Sequence, residues 1–321
     1  MPNRRSGRTP GRGPTDREPP GLNGLSWGLP GSFLGLDESA SAFDDARAVI
    51  LPVPYEATTS YGGGTQAGPS AILEASRYIE LHDHELDWEP HTVGIHTLPL
   101  LELTRAGPGA AMTELEEAYG TILDTVGDRF VVMLGGEHSV SAPAIRAQAS
   151  LATERITVLL MDAHADLRAE HEGSEYSHAC AMTRVLDVAD VVGVGLRGVS
   201  REEADVAASH DGVTLVYADD MWEDDRWMEL ALAAMGSSVY LTFDVDYFDP
   251  SLVPSTGAPE PGGGDWYRTL RFLRRVFSEK TVVGCDVVEL APTPGLHAPD
   301  FLVAKLVYKL IGYRFSARLG V

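Results

Sequence analysis

The sequence predicts an α/β fold in which helices cover both faces of a parallel sheet. Short apolar runs rich in β-branched residues alternate along the chain with segments of helical periodicity, and this alternation is typical of parallel sheets. Polar clusters that contain His138, Asp162, Asp244 and Glu289 directly follow four of the apolar runs. Ligands of such sheets bind beyond the carboxyl ends of the strands. The shared placement therefore predicts one functional site at that edge of the sheet.

Seven apolar runs are predicted to be buried strands, because each is short and rich in strand-forming residues. In chain order they span residues 48–53, 130–134, 156–160, 191–196, 214–217, 238–243 and 281–288.

Helix signals fill most of the intervals between these strands. Gly68 and Pro69 open a helix predicted to run to about residue 79. Thr113 and Glu116 form a capping-box pattern ahead of a helix that Gly127 ends. Further helices are predicted over 181–187, after a capping box of Ser200 and Glu203, over 228–235, after the cap Asp265, and from the cap Asp300 to about residue 311.

Composition limits the possible functions. The chain has 321 residues, 44% of them hydrophobic, which is enough for one large core or two smaller ones. Against 25 basic residues stand 47 acidic ones, a formal net charge of −22, and a surface this acidic repels nucleic acid and anionic membranes. It suits a cationic substrate or a high-salt cytoplasm that screens self-repulsion. An ordinary bias towards solubility is the remaining alternative.

Other features of the composition indicate a cytoplasmic protein. Cys180 and Cys285 form no disulfide or zinc pattern and are predicted to be small buried thiols. No apolar run is long enough to span a membrane. Residues 1–20, rich in Arg, Pro and Gly, are predicted to be a disordered basic tail, and residues 21–321 a single domain. The Gly-rich segment 54–65 lacks the lysine of a phosphate-binding loop and is predicted to shape the rim of a pocket.

Four aspartates and two histidines are candidate metal ligands: His138, Asp162, His164, Asp166, Asp244 and Asp246. Three of them alternate with alanines at the end of one predicted strand, so a repeat of two residues places their side chains on one side. The same repeat pairs the last two aspartates. Six ligands are too many for one zinc ion and suit two oxygen-preferring ions, such as Mn²⁺, that share carboxylates.

These motifs resemble those of the ureohydrolase family, and most closely those of its agmatinase branch. The matching motifs are Gly-Gly-Glu-His-Ser at 135–139, Asp-Ala-His-Ala-Asp at 162–166, Ser-His-Ala-Cys at 177–180, Asp-Val-Asp at 244–246 and Asp-Val-Val-Glu at 286–289. The similarity extends over nearly everything after the tail. It implies a three-layer α/β/α domain of the arginase and deacetylase type with a mostly parallel eight-stranded sheet. It also implies a homo-oligomer, commonly a trimer or a hexamer.

The resemblance further implies two Mn²⁺ per chain and a role for each site residue. One ion would be held by His138, Asp162, Asp166 and Asp244, and the other by Asp162, His164, Asp244 and Asp246. Glu289 matches the carboxylate that pairs with a guanidinium group. His178 matches the histidine that moves protons near the mouth of the site, and Asp166 is expected to pass a proton to the departing nitrogen.

The implied reaction is hydrolysis of a small cationic guanidino compound to urea and an amine, with agmatine cleaved to putrescine as the favoured case. Aminopropylagmatine, guanidinobutyrate, arginine and formiminoglutamate stay open as substrates within the family. A deacetylase of the same fold would use one zinc ion, and a non-catalytic relative would usually lack ligands. The full set of six argues against both.

The acidic loop between Arg168 and His178 favours an ammonium group at the far end of the substrate. Both ends of this loop adjoin candidate site residues, so the loop should lie at the mouth of the site, and it carries Glu170, Glu172 and Glu175. Carboxylates there would repel the carboxylate of arginine and attract the ammonium of agmatine. The alternative is that the three glutamates face solvent and have no role.

Overall fold

The computed structural model describes residues 31–319, so the predicted tail at 1–20 lies outside the described residues. Within this range eight parallel strands form one sheet in the order β2-β1-β3-β8-β7-β4-β5-β6. The strands are β1 Ala48–Val53, β2 Ile95–Thr97, β3 Phe130–Gly135, β4 Ile156–Met161, β5 Ala189–Leu196, β6 Val213–Tyr217, β7 Ser238–Asp244 and β8 Thr281–Val288. All seven predicted strands are confirmed.

Helices cover both faces of the sheet, as predicted. They are α1 Glu38–Ser41, α2 Gly68–Ser76, α3 Pro108–Val126, α4 Ser141–Leu151, α5 Arg201–Ser209, α6 Ala218–Glu223, α7 Arg226–Ala234, α8 Trp266–Glu279 and α9 Ala298–Leu319. Alternate residues of β1 enter two separate cores: Ile50 packs on the side of α2, α8 and α9, and Val49 on the side of α3 and α4. This division explains why the strands are apolar on both faces.

Several local signals are confirmed. Gly127 follows α3 with a φ of 60°, Ser200 and Glu203 form the reciprocal capping box of α5, and the Asp265 carboxylate accepts a hydrogen bond from the N–H of Arg268 at the start of α8. Both cysteines are buried, and burial raises the pKa of Cys180 to about 11. No helix in the described range is long and apolar enough to cross a membrane.

Other helix predictions are wrong. Thr113 lies inside α3, which begins at Pro108, and its hydroxyl donates to the carbonyl of Gly109 instead of capping the helix. Residues 181–187 contain only a short 3₁₀ turn, Thr183–Val185, and α2 ends at Ser76. Asp300 lies in the first turn of α9, which continues to Leu319; beyond the predicted end, Tyr313 and Phe315 are buried. The three-residue strand β2 was missed, since pairing with β1 defines it better than its own sequence does.

A buried ion-pair network fastens α9 to the segment that follows α2. The Lys309 ammonium lies 2.8 Å from an Asp83 oxygen and 2.7 Å from a Glu85 oxygen. The side chain of Lys309 is only 4% exposed and that of Asp83 is fully buried. Burial alone would raise the pKa of Asp83, but the hydrogen bond and charge of Lys309 lower it below its ordinary value. The ammonium therefore compensates a carboxylate that has little access to water.

We expect Lys309→Met to lower the free energy of unfolding by about 3–5 kcal/mol, because it leaves buried carboxylates without their cation. The pKa values of Asp83 and Glu85 are lowered in the folded state. Their stabilisation is therefore present above the ordinary carboxyl pKa and is lost as the pH falls from that value through the lowered folded-state pKa. The difference in the free energy of unfolding between variant and parent, measured with denaturant from pH 7 to pH 3, should become smaller as the pH falls.

Lys305→Met is the matched control, one turn earlier on α9. Among residues 31–319, the Lys305 ammonium contacts the Glu80 carbonyl, at 3.5 Å, and the Tyr308 ring, and no carboxylate. Its loss should cost less than about 1 kcal/mol. Equal losses for the two lysine variants would contradict the network.

Candidate metal centre

Four adjacent strands deliver the site residues to one edge of the sheet. In the order β3-β8-β7-β4, His138 follows the first strand, Glu289 the second, Asp244 ends the third, and Asp162 follows the fourth. Parallel neighbours end on the same side, so the side chains converge although up to 151 residues separate them in sequence. The side chains of the predicted site therefore lie together at the carboxyl edge of the sheet.

The imidazole of His138 lies at the centre of three carboxylates. Its Nδ1 is 3.1 Å from an Asp162 oxygen, 3.0 Å from an Asp166 oxygen and 3.4 Å from an Asp244 oxygen. All four side chains are at most 6% exposed. Ligand atoms of His138, Asp162 and Asp244 lie close enough together to hold one metal ion.

A second group shares one carboxylate with the first. Asp162, His164 and Asp246 also bring ligand atoms within reach of a single ion. The His164 Nδ1 lies 2.9 Å from an Asp246 oxygen and 3.6 Å from an Asp162 oxygen. The two groups thus contain five of the six predicted ligands, and Asp166 lies beside the first group.

The electrostatics of the cluster favour the binding of a cation. Burial, followed by repulsion from Asp246 and Asp162, raises the pKa of Asp244 well above its ordinary value. Burial alone would lower the pKa of His138, but contacts with Asp162, Asp166 and Asp244 raise it well above the usual range. A divalent cation among these carboxylates would offset their mutual repulsion.

Two orphaned atoms show that the donors fit a metal ion. Nδ1 of His138 and Oδ2 of Asp162 are buried and have no hydrogen-bond partner of acceptable geometry, although they face each other at 3.1 Å. The other ring nitrogen of His138 contacts the Thr242 hydroxyl at 2.9 Å, and that hydroxyl donates to Asp286 at 2.6 Å. Such outer contacts fix the orientation of a metal-binding histidine.

The ligands converge for a reason that differs from the predicted one. Strand β4 ends at Met161, and Asp166 adopts a left-handed φ of 52°, so residues 162–166 do not form an extended strand end. Val245–Tyr247 is a 3₁₀ turn in which the N–H of Asp246 donates to Asp244 at 2.8 Å. The prediction that an extended strand end places alternate side chains on one side was therefore wrong, because loops and turns, not strands, carry most of the ligands.

A cavity of about 320 Å³ opens above the metal centre, and Glu289 and His178 both line it. The Glu289 carboxylate is held by the N–H of His138 at 2.6 Å, and the residue has a left-handed φ of 66°. The His178 Nε2 lies 3.0 Å from the Ser60 hydroxyl. The cavity thus joins the two predicted catalytic residues to the ligand cluster.

The loop between Arg168 and His178 lies at this cavity, as predicted, but only one of its glutamates does. Glu172 lines the cavity together with Arg168, His171 and His178. Glu175 instead forms an ion pair with Arg184 at 2.6 Å, and Glu170 is exposed. The attraction expected from three carboxylates therefore depends on Glu172.

Glu137 is a buried residue whose importance the sequence did not reveal. Its carboxylate accepts hydrogen bonds from the N–H groups of Ala57 and Thr58 and from the hydroxyls of Thr58 and Ser139, all within 2.7 Å. The Thr58 hydroxyl in turn accepts from the N–H of His178 at 3.0 Å. Glu137 thereby connects the 54–65 loop to His178. Its position inside the Gly-Gly-Glu-His-Ser motif was the only available signal.

Arg197 was also missed, because it interacts with backbone oxygens that no motif displays. Its guanidinium donates to the carbonyls of Gly195, Asp246 and Glu260 at distances between 2.7 and 3.2 Å. These contacts join β5 to the turn that carries Asp246 and to the loop before α8. They fix the backbone beneath the second ligand group.

Comparisons with known proteins agree with this geometry. A sequence model of the family described as "Arginase family" matches residues 46–312. The chain is 41% identical over 281 residues to the N(1)-aminopropylagmatine ureohydrolase of Synechocystis, which covers 86% of this chain and 92% of that protein. It is 31% identical to the agmatinase of Pyrococcus horikoshii over 85% of this chain and 93% of that protein. The crystal structure of the agmatine ureohydrolase of Thermoplasma volcanium superposes with a TM-score of 0.78 at 26% identity, covering 87% of this chain and 94% of that one.

We expect the purified protein to bind two divalent ions per chain after loading with Mn²⁺, because the two ligand groups share Asp162. Asp244→Ala should reduce metal content below two ions and lower turnover about a thousandfold or more. Elemental analysis of gel-filtered protein gives the stoichiometry, and Asp219→Ala, an exposed aspartate of α6, is the control. Full activity of Asp244→Ala would contradict the metal centre.

Proposed function

The chain belongs to the arginase family, whose members hydrolyse guanidino carbon–nitrogen bonds, and we propose that it is a manganese-dependent ureohydrolase of long cationic guanidinoalkylamines. The observation that carries the proposal is the acidic cavity that places Glu289 and His178 directly above the buried ligand cluster. The preferred substrate is N(1)-aminopropylagmatine, with agmatine as the second candidate.

The six ligands would hold two Mn²⁺ ions. His138 and Asp166 would bind the first ion and His164 and Asp246 the second. Asp162 and Asp244 would contribute to both. Hard carboxylate oxygens with two imidazoles are a donor set that suits Mn²⁺. When bound, the ions would supply a water activated as a nucleophile at neutral pH.

Glu289 binds and orients the guanidinium group. One of its oxygens is occupied by the N–H of His138, and the other faces Gly257 across the cavity. A planar guanidinium pairs well with a carboxylate. Because the backbone N–H of His138 holds the Glu289 carboxylate, this contact sets the distance between the substrate carbon and the metal centre.

His178 and Asp166 move the protons. The Ser60 hydroxyl holds Nε2 of His178 at 3.0 Å, and the Ser177 hydroxyl lies 3.4 Å from Nδ1. The ring therefore stays at the mouth of the cavity, where it exchanges protons with solvent. The Asp166 carboxylate accepts a proton from the attacking water and passes it to the nitrogen that leaves as the amine, and urea is the second product.

The far end of the cavity favours a cation. Beyond the ligand cluster and Glu289, the charged residues at the cavity wall are Glu172, Glu203 and Arg168, and Arg168 lies 3.9 Å from Glu203, which offsets its charge. An ammonium is attracted to such a wall and a carboxylate is repelled. The Synechocystis relative is named for the longer aminopropyl compound and the Pyrococcus relative for agmatine. Both names imply an ammonium at this end.

Thr58→Val should lower kcat about 10- to 100-fold and leave KM nearly unchanged. The substitution keeps the shape of the side chain but removes the hydroxyl that links His178 to Glu137, and small displacements of catalytic groups cost this much. Steady-state urea release measures both constants. Thr58→Ser, which keeps the hydroxyl, is the control and should retain most of the activity. Equal rates for the two variants would refute the role of this link.

A substrate panel tests the charge preference. We expect kcat/KM for aminopropylagmatine and agmatine to exceed that for 4-guanidinobutyrate and arginine by at least about tenfold, which corresponds to about 1.4 kcal/mol. Guanidinobutyrate is the informative comparison, because it is similar in length to agmatine and carries a carboxylate in place of the amine. If it or arginine is cleaved better than agmatine, the electrostatic argument is wrong even though the metal chemistry stands.

A further inference from the structure

The loop at the rim of the cavity is fastened on both sides of a single exposed aromatic residue. Before it, Ser60 contacts His178 at 3.0 Å. After it, the N–H of Gly62 donates to the Gly257 carbonyl at 3.1 Å, and a Cβ at Gly62 would crowd that oxygen at 2.9 Å. Between these anchors lies Tyr61. The backbone that carries its ring is therefore fixed relative to the catalytic residues.

The same loop is closed on itself. The Glu56 carboxylate accepts hydrogen bonds from the N–H groups of Gly64 and Gln66 and from the hydroxyl of Thr65, at distances of 2.7–3.0 Å. Together with the contacts of Glu137, these bonds fix both ends of the 54–65 loop. The backbone that carries the ring at its tip is positioned before any ligand binds.

Tyr61 is 89% exposed although its residue lines the cavity. Leaving so large an aromatic side chain in water forgoes the stabilisation that burial would give. Neither anchor involves the ring, so the fold itself does not account for an aromatic residue here. An aromatic face at the rim of an acidic cavity is a binding surface for a cation.

Glu172 supplies a negative charge at the same rim. A tight turn, closed by mutual hydrogen bonds between the backbones of His171 and Ser174 at 3.0 Å, carries it. Glu172 has a left-handed φ of 50°, and non-glycine residues adopt this conformation at a cost that functional positions tend to accept. The adjacent His171 ring packs edge-on against His178, with 6.0 Å between centroids. The turn is thus held beside the site.

We propose that Tyr61 and Glu172 form an outer subsite that binds the terminal ammonium of a guanidino substrate bearing two amines. This subsite rests on the proposed ureohydrolase activity and explains its preference for the longer substrate. The inner amine of aminopropylagmatine occupies the position of the agmatine ammonium. Only the terminal amine extends to the rim, where the ring face and the carboxylate bind it. Agmatine is too short to use this subsite, so the subsite separates two substrates that share their reacting end.

The test compares aminopropylagmatine with propylagmatine, which keeps the chain and the inner amine but ends in a methyl group. Tyr61→Leu should raise KM for aminopropylagmatine about five- to tenfold, the usual magnitude of a cation–aromatic contact. Its KM for propylagmatine and for agmatine should change less than twofold, and kcat should stay constant. Tyr61→Phe, which keeps the ring, should behave as the parent.

Glu172→Gln should raise KM for aminopropylagmatine more than KM for propylagmatine or agmatine, because only the terminal amine contacts the carboxylate, whereas the nearer amine is attracted by it from a longer distance. Glu175→Gln is the matched control, because Glu175 belongs to the same loop but pairs with Arg184 away from the cavity. Thermal unfolding of each variant verifies that the fold is intact, and the exposure of both rim residues predicts little change.

The possible outcomes distinguish a failure of the proposed subsite from a failure of the proposed activity. If Tyr61→Leu affects both long substrates equally, the ring provides apolar contact and the subsite for the ammonium is refuted. If no constant changes, the subsite is likewise refuted while urea release continues. If the parent protein releases urea from none of the guanidino compounds, the proposed function fails, and the subsite fails with it.

Discussion

Repulsion among carboxylates crowded at the ends of four adjacent strands is the interaction on which this structure depends. Asp162, Asp166 and Asp244 approach one imidazole within 3.4 Å in a buried setting, where unpaired charges are costly. The sheet overcomes the repulsion by holding the backbone. The N–H of Ala163 donates to Asp246 at 2.9 Å and the N–H of Asp246 donates to Asp244 at 2.8 Å. The ligands cannot move apart without breaking these bonds.

Two oppositely charged residues support the cluster from outside. Glu137 accepts three hydrogen bonds from the 54–65 loop on one side and a fourth from the Ser139 hydroxyl, and Arg197 donates to backbone carbonyls on the other. Each satisfies a buried or half-buried charge with neutral groups, so neither adds charge compensation to the metal centre. Their role is to hold the loops that follow the strands in fixed positions relative to the sheet.

Much of this arrangement was predictable because it depends on patterns that are local in sequence. The strands appear as apolar runs, and a residue such as Asp244 is located by the strand it ends. Thr113 was misassigned because Pro108, a favourable helix opener, begins the helix a turn earlier. The convergence of Asp162, His164 and Asp166 was predicted, but the left-handed turn at Asp166 was not. Long-range contacts of Glu137 and Arg197 had no local signature, since most of their partners are backbone atoms that every residue possesses.

The anchoring of the 54–65 loop has a consequence for how this scaffold diverges. Glu56, Thr58, Ser60 and Gly62 fix the loop through contacts that do not involve the side chain at position 61. Exchange at that position therefore leaves the placement of His178 intact. Related chains with the same metal ligands and catalytic residues can therefore differ at this one outward-facing position. Each such difference would change which substrates the enzyme binds, with little effect on turnover or stability.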